Sequence, residues 1–426
     1  MPSYLTNGKN KGFGHVIAYA PWKGWSKVGE RDKYLGLLTE RGRLEFGKVP
    51  KGRPRHGQEH SIPLNYGFPY PDSYPMDALV ESVRRVFDVD GAASLKYGGA
   101  KLAARLTEQV KERCCQRGIP TDEDNIVITH GAAQSIGLVC DLLVNPGDLV
   151  LIEGPTYMGA IETFRKYSAR LMTIDVDEAG MSIEHLTETL RGLPPDGMPK
   201  LLYTIPNFHN PTGYTMTVAR RKQLLELADA YGFLILEDDA YGELRYEGEA
   251  LPSLRALDEN ERVLQVGSMS KILAPAVRIG WVNGPAILSR QLDRIRSDGG
   301  ANPLVKAVVA AFWDSVDVEQ RLEVLRRGYR QRRDALLGAL EQYLPGTCTC
   351  TRPQGGYFIW ATFAPEVKIT GRIPEFNRAG VTPLPGTIFY PDGRGEQQLR
   401  LSFSYPSPDE VTLGVERMAE VLNSNP

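Results

Sequence analysis

A chain of 426 residues, 42% hydrophobic and 24% charged, has the composition of a globular protein and the length for one large domain and a smaller one. Its net charge of −2 gives no general attraction to nucleic acid or an anionic membrane, no apolar run reaches the roughly 18–20 residues of a membrane span, and the opening MPSYLTNGKNKGFGH lacks the apolar stretch of a secretory signal. Cys114, Cys115, Cys140, Cys348 and Cys350 are too few and odd in number for a disulfide framework, Cys348-x-Cys350 lacks the further ligands of a metal site, and a reducing, cytoplasmic setting with no metal is expected.

The first 60 residues carry 12 Lys and Arg against 5 Asp and Glu, so the remainder of the chain is acidic. Residues 1–62 read as an irregular arm with a short helix around Glu30–Arg41. From Met76 onward amphipathic helices (Met76–Phe87, Lys101–Gln116, Ala133–Leu143, Arg220–Ala230) alternate with short apolar runs at Ile126–Thr129, Leu149–Ile152, Arg170–Ile174, Leu201–Ile205, Leu234–Glu237, Val263–Val266 and Ile279–Val282. Seven such runs bounded by turn residues predict an α/β domain with a mostly parallel seven-stranded sheet flanked by helices. After Pro303 the chain turns helical, with a long helix over Glu319–Tyr343, then strands at Tyr357–Ala361 and Gln398–Phe403 and a last helix at Pro408–Leu422. The expected division is an arm over 1–62, a large domain over 63–312 and a small α+β domain over 313–426.

The segment most suggestive of chemistry is Val266–Arg278, VGSMSKILAPAVR. A strand runs into Ser268 and Ser270, then Lys271, with Arg278 seven residues on. An unperturbed lysine, with a pKa of ~10.4, is protonated at neutral pH, so one used as a nucleophile must be buried, placed near cations or converted to an imine. The hydroxyls and the guanidinium suit an anion with several oxygens. Taken alone, the same residues also fit a solvated loop lysine.

Around this segment, SMSK followed by Arg278, together with HGAAQ (His130–Gln134), EGPTY (Glu153–Tyr157), PNFHNPTG (Pro206–Gly213), EDDAY (Glu237–Tyr241), PQGGYFIW (Pro353–Trp360) and LRLSFS (Leu399–Ser404), resembles the class I/II aminotransferases of fold type I, in their order, over Tyr66–Leu422. Within that family the chain is most similar to the branch with 2-aminoadipate and kynurenine aminotransferases.

The resemblance implies pyridoxal 5′-phosphate (PLP) held by Lys271 as a Schiff base, with Lys271 also the general base. Asp238, at the end of the apolar run FLILED, is the expected partner of the pyridine nitrogen, on the opposite sheet face from Glu237 and Asp239. Tyr241 and Asn210 are expected at the ring's phenolic oxygen, and Tyr157 on its face. Ser268, Ser270 and Arg278 are expected at the phosphate, with the backbone of Ala132 and Ala133 at a helix N-terminus. Many relatives carry a polar side chain at those alanines, which loads more of the contact onto the serines and the arginine. Tyr97, in LKYGG, is expected to reach the cofactor phosphate of a second subunit, which implies a homodimer with shared sites. Arg400 is expected on the substrate α-carboxylate, with Asn210 and with Gly67 of NYGFP at the substrate.

The activity implied is ping-pong transfer of an α-amino group from an amino acid to a 2-oxo acid. The same residues also serve elimination, cyclisation, racemisation or oxidative deamination in specialised biosynthesis, since fold does not fix reaction. A cofactor-binding transcription regulator is disfavoured, because residues 1–62 lack the helical periodicity of a DNA-binding module. Trp22, Trp25 and Tyr34 in that arm predict that it packs over the substrate entrance or on a partner, with Arg31, Arg41 or Arg43 within reach of substrate.

Overall fold

The computed structural model describes residues 37–39, 61–98 and 100–424. Apart from residues 37–39, 61 and 62, the arm lies outside them, and so do most of the helix expected at Glu30–Arg41 and the six side chains singled out in the arm. The chain divides into two compact units, Met1–Lys51 and Gly52–Pro426.

The second unit opens on α1 (Met76–Asp90) and α2 (Lys101–Gln116) and then alternates: β1 (Ile126–Thr129), α3 (Ala132–Leu143), β2 (Leu149–Gly154), α4 (Met158–Lys166), β3 (Arg170–Asp177), β4 (Gly180–Met181), α5 (Ile183–Gly192), β5 (Leu201–Thr204), α6 (Val218–Tyr231), β6 (Leu234–Asp238), α7 (Leu254–Leu257), β7 (Val263–Ser268), β8 (Gly280–Asn283) and α8 (Ala286–Ile295). Then follow α9 (Pro303–Ser315), α10 (Val318–Tyr343), β9 (Cys348–Cys350), β10 (Phe358–Phe363), α11 (Ile373–Arg378), β11 (Leu384–Pro385), β12 (Gln398–Ser402) and α12 (Pro408–Asn423).

One sheet runs in the order β1-β8-β7-β6-β5-β2-β3-β4. The seven expected strands are all in it, and β2, β3, β5, β6 and β7 pair in parallel. The eighth strand, β4, is a two-residue return antiparallel to the end of β3 after the turn at Glu178 and Ala179, too short to leave a period in the sequence. Antiparallel β8 lies between β7 and β1, so β1 runs the same way as the parallel strands.

Alternation divides the sheet's side chains. Val150, Ile152, Tyr203, Leu236 and Val266 pack with Ile136 and Val139 of α3 and Phe164 of α4. Leu149, Leu151, Leu202, Ile235 and Val263 pack with Leu186 and Leu190 of α5 and Leu224 of α6. Both faces are covered by helices, which is why the strands read as unbroken apolar runs.

The second sheet, β11-β12-β10-β9, is antiparallel and pairs Trp360 with Arg400. The incoming segment is tied to this small sheet: Ile62 N–H donates to the Gly380 carbonyl, and Ser402 N–H donates to the Leu64 carbonyl. Among the described residues, no helix is long and apolar enough to cross a membrane.

Candidate active site

Strand ends of the large sheet converge on one edge. β1, β2, β5, β6 and β7 all finish there, and β8 begins there, since Gly280 pairs with both Thr129 and Ser268. The carboxyl edge of a parallel sheet is where backbone groups and loops are free to meet a ligand. Every site residue expected from the large sheet lies in the first few residues beyond one of these ends, or at it.

Asp238 ends β6 and is buried. Its Oδ2 accepts from the Tyr203 hydroxyl at 2.8 Å and its Oδ1 from the Ala240 N–H at 3.3 Å. Burial pushes its pKa up to about 6, against those two donors. Glu237 points to the other face and accepts from the N–H groups of Leu254 and Arg255, as strand alternation predicts. Asp239 is taken up by Arg117 and Asn207, and Asn207 is held in turn by the fully buried Arg221.

Lys271 follows β7. Its Nζ donates to the Gly67 carbonyl at 2.7 Å and lies 5.7 Å from the ring centres of Tyr241 and Tyr357. Burial pulls its pKa down to about 8; the nearby Arg400 guanidinium lowers it further and Asp238 opposes. The Lys271 carbonyl accepts from the Tyr357 hydroxyl at 3.0 Å, so the loop is pinned from the small sheet's side as well. A Cβ on Gly67 would sit 4.0 Å from Lys271 Nζ and 3.4 Å from the Phe358 ring, so this glycine leaves room beside the amine.

Arg400 is buried, stacked 4.1 Å over Phe358 and 5.1 Å from the centre of Phe389. Nη1 donates to Asn210 Oδ1 at 2.9 Å and Nη2 to the Asn65 carbonyl at 2.8 Å. Among the described residues its Nε has no acceptor, and no carboxylate pairs with the group. Burial drags its pKa down to about 10, the mark of a cation still wanting an anion.

On the other side of the edge, α3 begins at Ala132 and Ala133 with no side chain capping it. Arg278, in the left-handed region at φ +50°, turns its guanidinium onto the His130 carbonyl at 2.9 Å. That backbone state costs a non-glycine residue about 1–2 kcal/mol. Gly131, at φ +94°, lies flush against the same guanidinium: a Cβ there would be 2.8 Å from Nη2. Ser268 and Ser270 are buried next to it, with the Ser270 N–H donating to Ser268 Oγ at 3.1 Å. A helix N-terminus, two hydroxyls and a guanidinium therefore lie near the same edge, a combination chemically suited to an anion.

Tyr157 lies between these groups, with burial and the Asp238 charge holding its phenol protonated. Its ring folds back over Gly159, where a Cβ would come within 2.6 Å of it. Tyr241 is buried at 5.2 Å from Tyr357 and 5.7 Å from Phe358, and burial pushes its hydroxyl far above the usual range. Tyr97 stands apart, fully exposed. Tyr203, Asn65, Tyr357 and Gly159 were not among the expected site residues. The alternation of LLYT and LILED was the available signal for Tyr203, since it puts Tyr203 on the face of Asp238.

A family profile described as "Aminotransferase class I and II" matches residues 60–418. The aromatic-amino-acid aminotransferase 1 of Thermococcus litoralis is 35% identical over 368 residues, 85% of this chain and 88% of the relative. Among solved structures, a multiple substrate aminotransferase from Thermococcus profundus is 32% identical with a TM-score of 0.83, covering 91% of this chain and 97% of that one. The α-aminoadipate aminotransferase of Thermus thermophilus, in complex with N-(5′-phosphopyridoxyl)-L-leucine, is 30% identical with a TM-score of 0.80, covering 87% and 95%.

Proposed function

The chain belongs to the class I and II aminotransferases, enzymes of PLP fold type I with pyridoxal 5′-phosphate as cofactor, and from that premise we propose how its own residues carry an α-amino group from an amino acid to a 2-oxo acid. The cofactor, when bound, supplies an electron sink that makes the substrate Cα–H acidic. Lys271 would hold it covalently, Asp238 would pair with its ring nitrogen, Tyr157 would cover its face, and Tyr241 and Asn210 would serve its phenolic oxygen. Ala132, Ala133, Ser268, Ser270 and Arg278 would hold its phosphate. The Arg278 guanidinium at the start of α3 supports the phosphate's place, and the orphaned Nε of Arg400 supports a place for the substrate carboxylate.

One observation carries the reading. Asn65 and Gly67, two residues apart, accept from Arg400 and Lys271 respectively, so a carboxylate-binding fork and a nucleophilic amine flank one short turn. A substrate whose α-carboxylate meets Arg400 has its Cα beside Lys271 Nζ, which takes the proton from that carbon.

A screen of amino donors, led by aromatic amino acids and 2-aminoadipate with 2-oxoglutarate as acceptor, tests it: the donor's 2-oxo acid should accumulate beyond one equivalent per active site only when both partners are present. Repeated turnover without an acceptor, beyond that one equivalent, would overturn amino transfer in favour of elimination or oxidation. Arg400→Ala should raise KM for every donor by roughly 10- to 150-fold, the range for a charge-assisted buried hydrogen bond. An effect confined to one class of donor would reassign Arg400 to the side chain.

We also propose a homodimer in a cytoplasmic setting. On α1, Met76, Val80, Val83 and Phe87 form an exposed apolar stripe at helical spacing, with Leu95 and Tyr97 exposed beyond it. The stripe supports burial by a second copy, with Tyr97 reaching that copy's cofactor phosphate. The sparse, odd set of cysteines supports the reducing compartment.

A further inference from the structure

Tyr203 is the third residue of β5 and wholly buried. Its ring packs edge-on against Phe164 of α4, centroids 5.7 Å apart. The parallel register of β5 on β6 sets Tyr203 opposite Leu236, two residues before Asp238 on the same face. The phenol therefore reaches forward along the sheet, and its hydroxyl donates to Asp238 Oδ2 at 2.8 Å.

Nothing in packing alone calls for that hydroxyl, since phenylalanine would fill the volume. A buried phenol aimed at a buried carboxylate is a charge-assisted hydrogen bond, about twice as strong as a neutral one. Four other titratable groups act on Asp238 or are acted on by it: Tyr157 ahead of α4, Asp239 and Tyr241 next along the chain, and Lys271 beyond β7. Asp239 raises its pKa and Lys271 lowers it, while burial outweighs both. Burial and the Asp238 charge also hold the Tyr203 phenol well above its usual pKa, so it stays a donor throughout the working pH range.

We propose that Tyr203 is a positioning residue: its hydroxyl and the Ala240 N–H each hold one oxygen of Asp238, fixing the carboxylate in a single orientation toward the cofactor. This rests on Asp238 being the partner of the ring nitrogen. Tyr203 touches neither substrate nor cofactor and acts only through Asp238.

The test uses the full chain. Tyr203→Phe should weaken PLP binding to the apo protein about tenfold and lower kcat by a similar factor, with KM for the amino donor unchanged. The acid limb of the kcat profile should move up by about one pH unit, because Asp238 then ionises with one donor fewer. Phe164→Leu, which loosens the same ring without touching the hydroxyl, should lower Tm and leave the acid limb in place. In an Asp238→Asn background, Tyr203→Phe should add no further loss of cofactor affinity or kcat. Wild-type cofactor affinity and an unmoved acid limb in Tyr203→Phe, or fully additive losses in the double variant, overturn the proposal. If Asp238→Asn itself binds cofactor and turns over normally, the reading of Asp238 fails instead.

Discussion

Lys271→Ala leaves a folded protein that transfers no amino group, whatever donor and acceptor are offered. On the proposed reading the substitution removes the amine that holds the cofactor and the base that takes the substrate's α-proton, and among the described residues Nζ is the only amine bonded to the Gly67 turn. Cofactor binding falls but persists, since the cradle at Ala132, Ser268 and Arg278 is untouched. Single-turnover mixing with an amino donor, followed by absorbance, measures this, and near-wild-type turnover would remove Lys271 from the reaction. Stability supplies a second readout. Burial lowers the folded pKa of Lys271 from 10.5 to about 8, so the apo protein is penalised by its charged form below about pH 8, and the penalty fades as pH rises to 10.5. Lys271→Met should therefore raise the Tm of the apo protein at pH 7, with the gain vanishing near pH 10.5.

Asp238→Asn should cost roughly 10²- to 10³-fold in kcat, the scale of removing one partner from a buried charge pair. The asparagine keeps the shape and can still accept from Tyr203, so the fold survives and Tm moves little. On the proposed reading, what is lost is the charge that would keep the cofactor's ring nitrogen protonated. Asp238 alone titrates at about 6, raised by burial, so the carboxylate is costly to ionise until a cation stands beside it. Apo and holo proteins should differ accordingly: bound cofactor stabilises the wild type strongly and Asp238→Asn weakly. Calorimetry with and without cofactor checks this, and equal stabilisation of both would place the ring's acid elsewhere.

Much of this was legible in the sequence because the site lies at strand ends, where period and motif coincide. Short apolar runs gave β1, β2, β5, β6 and β7 to within two residues, and the chemistry follows each at once: His130 after β1, Pro155 to Tyr157 after β2, Asn207 to Asn210 after β5, Lys271 after β7. Asp238 and Glu237 separated by face because a strand alternates. Contacts between elements were not legible. That the carbonyls of Asn65 and Gly67 receive Arg400 and Lys271 is a property of how segment 62–68 lies against the small sheet, and backbone acceptors leave no trace in residue identity. Gly159 reads as an ordinary helix residue until the Tyr157 ring is seen lying over it. Two residues of β4 are too few to show a period at all.

The hydrogen bonds that close the site span 204 residues from Lys271 to Gly67, 190 from Arg400 to Asn210 and 335 from Arg400 to Asn65. A nascent chain emerges N-terminus first at roughly 5–20 residues per second. The large sheet is complete once β8 has emerged, but Arg400 arrives only in the final strand. Between those moments Lys271 and Asp238 stand at an open sheet edge, without the small sheet that walls them in. Long-range closure of this kind is slow, since loop entropy must be overcome before any contact repays it. The site should therefore close only after the last strand has emerged, and a chain stopped short of β12 should lack both Arg400 and the wall the small sheet provides.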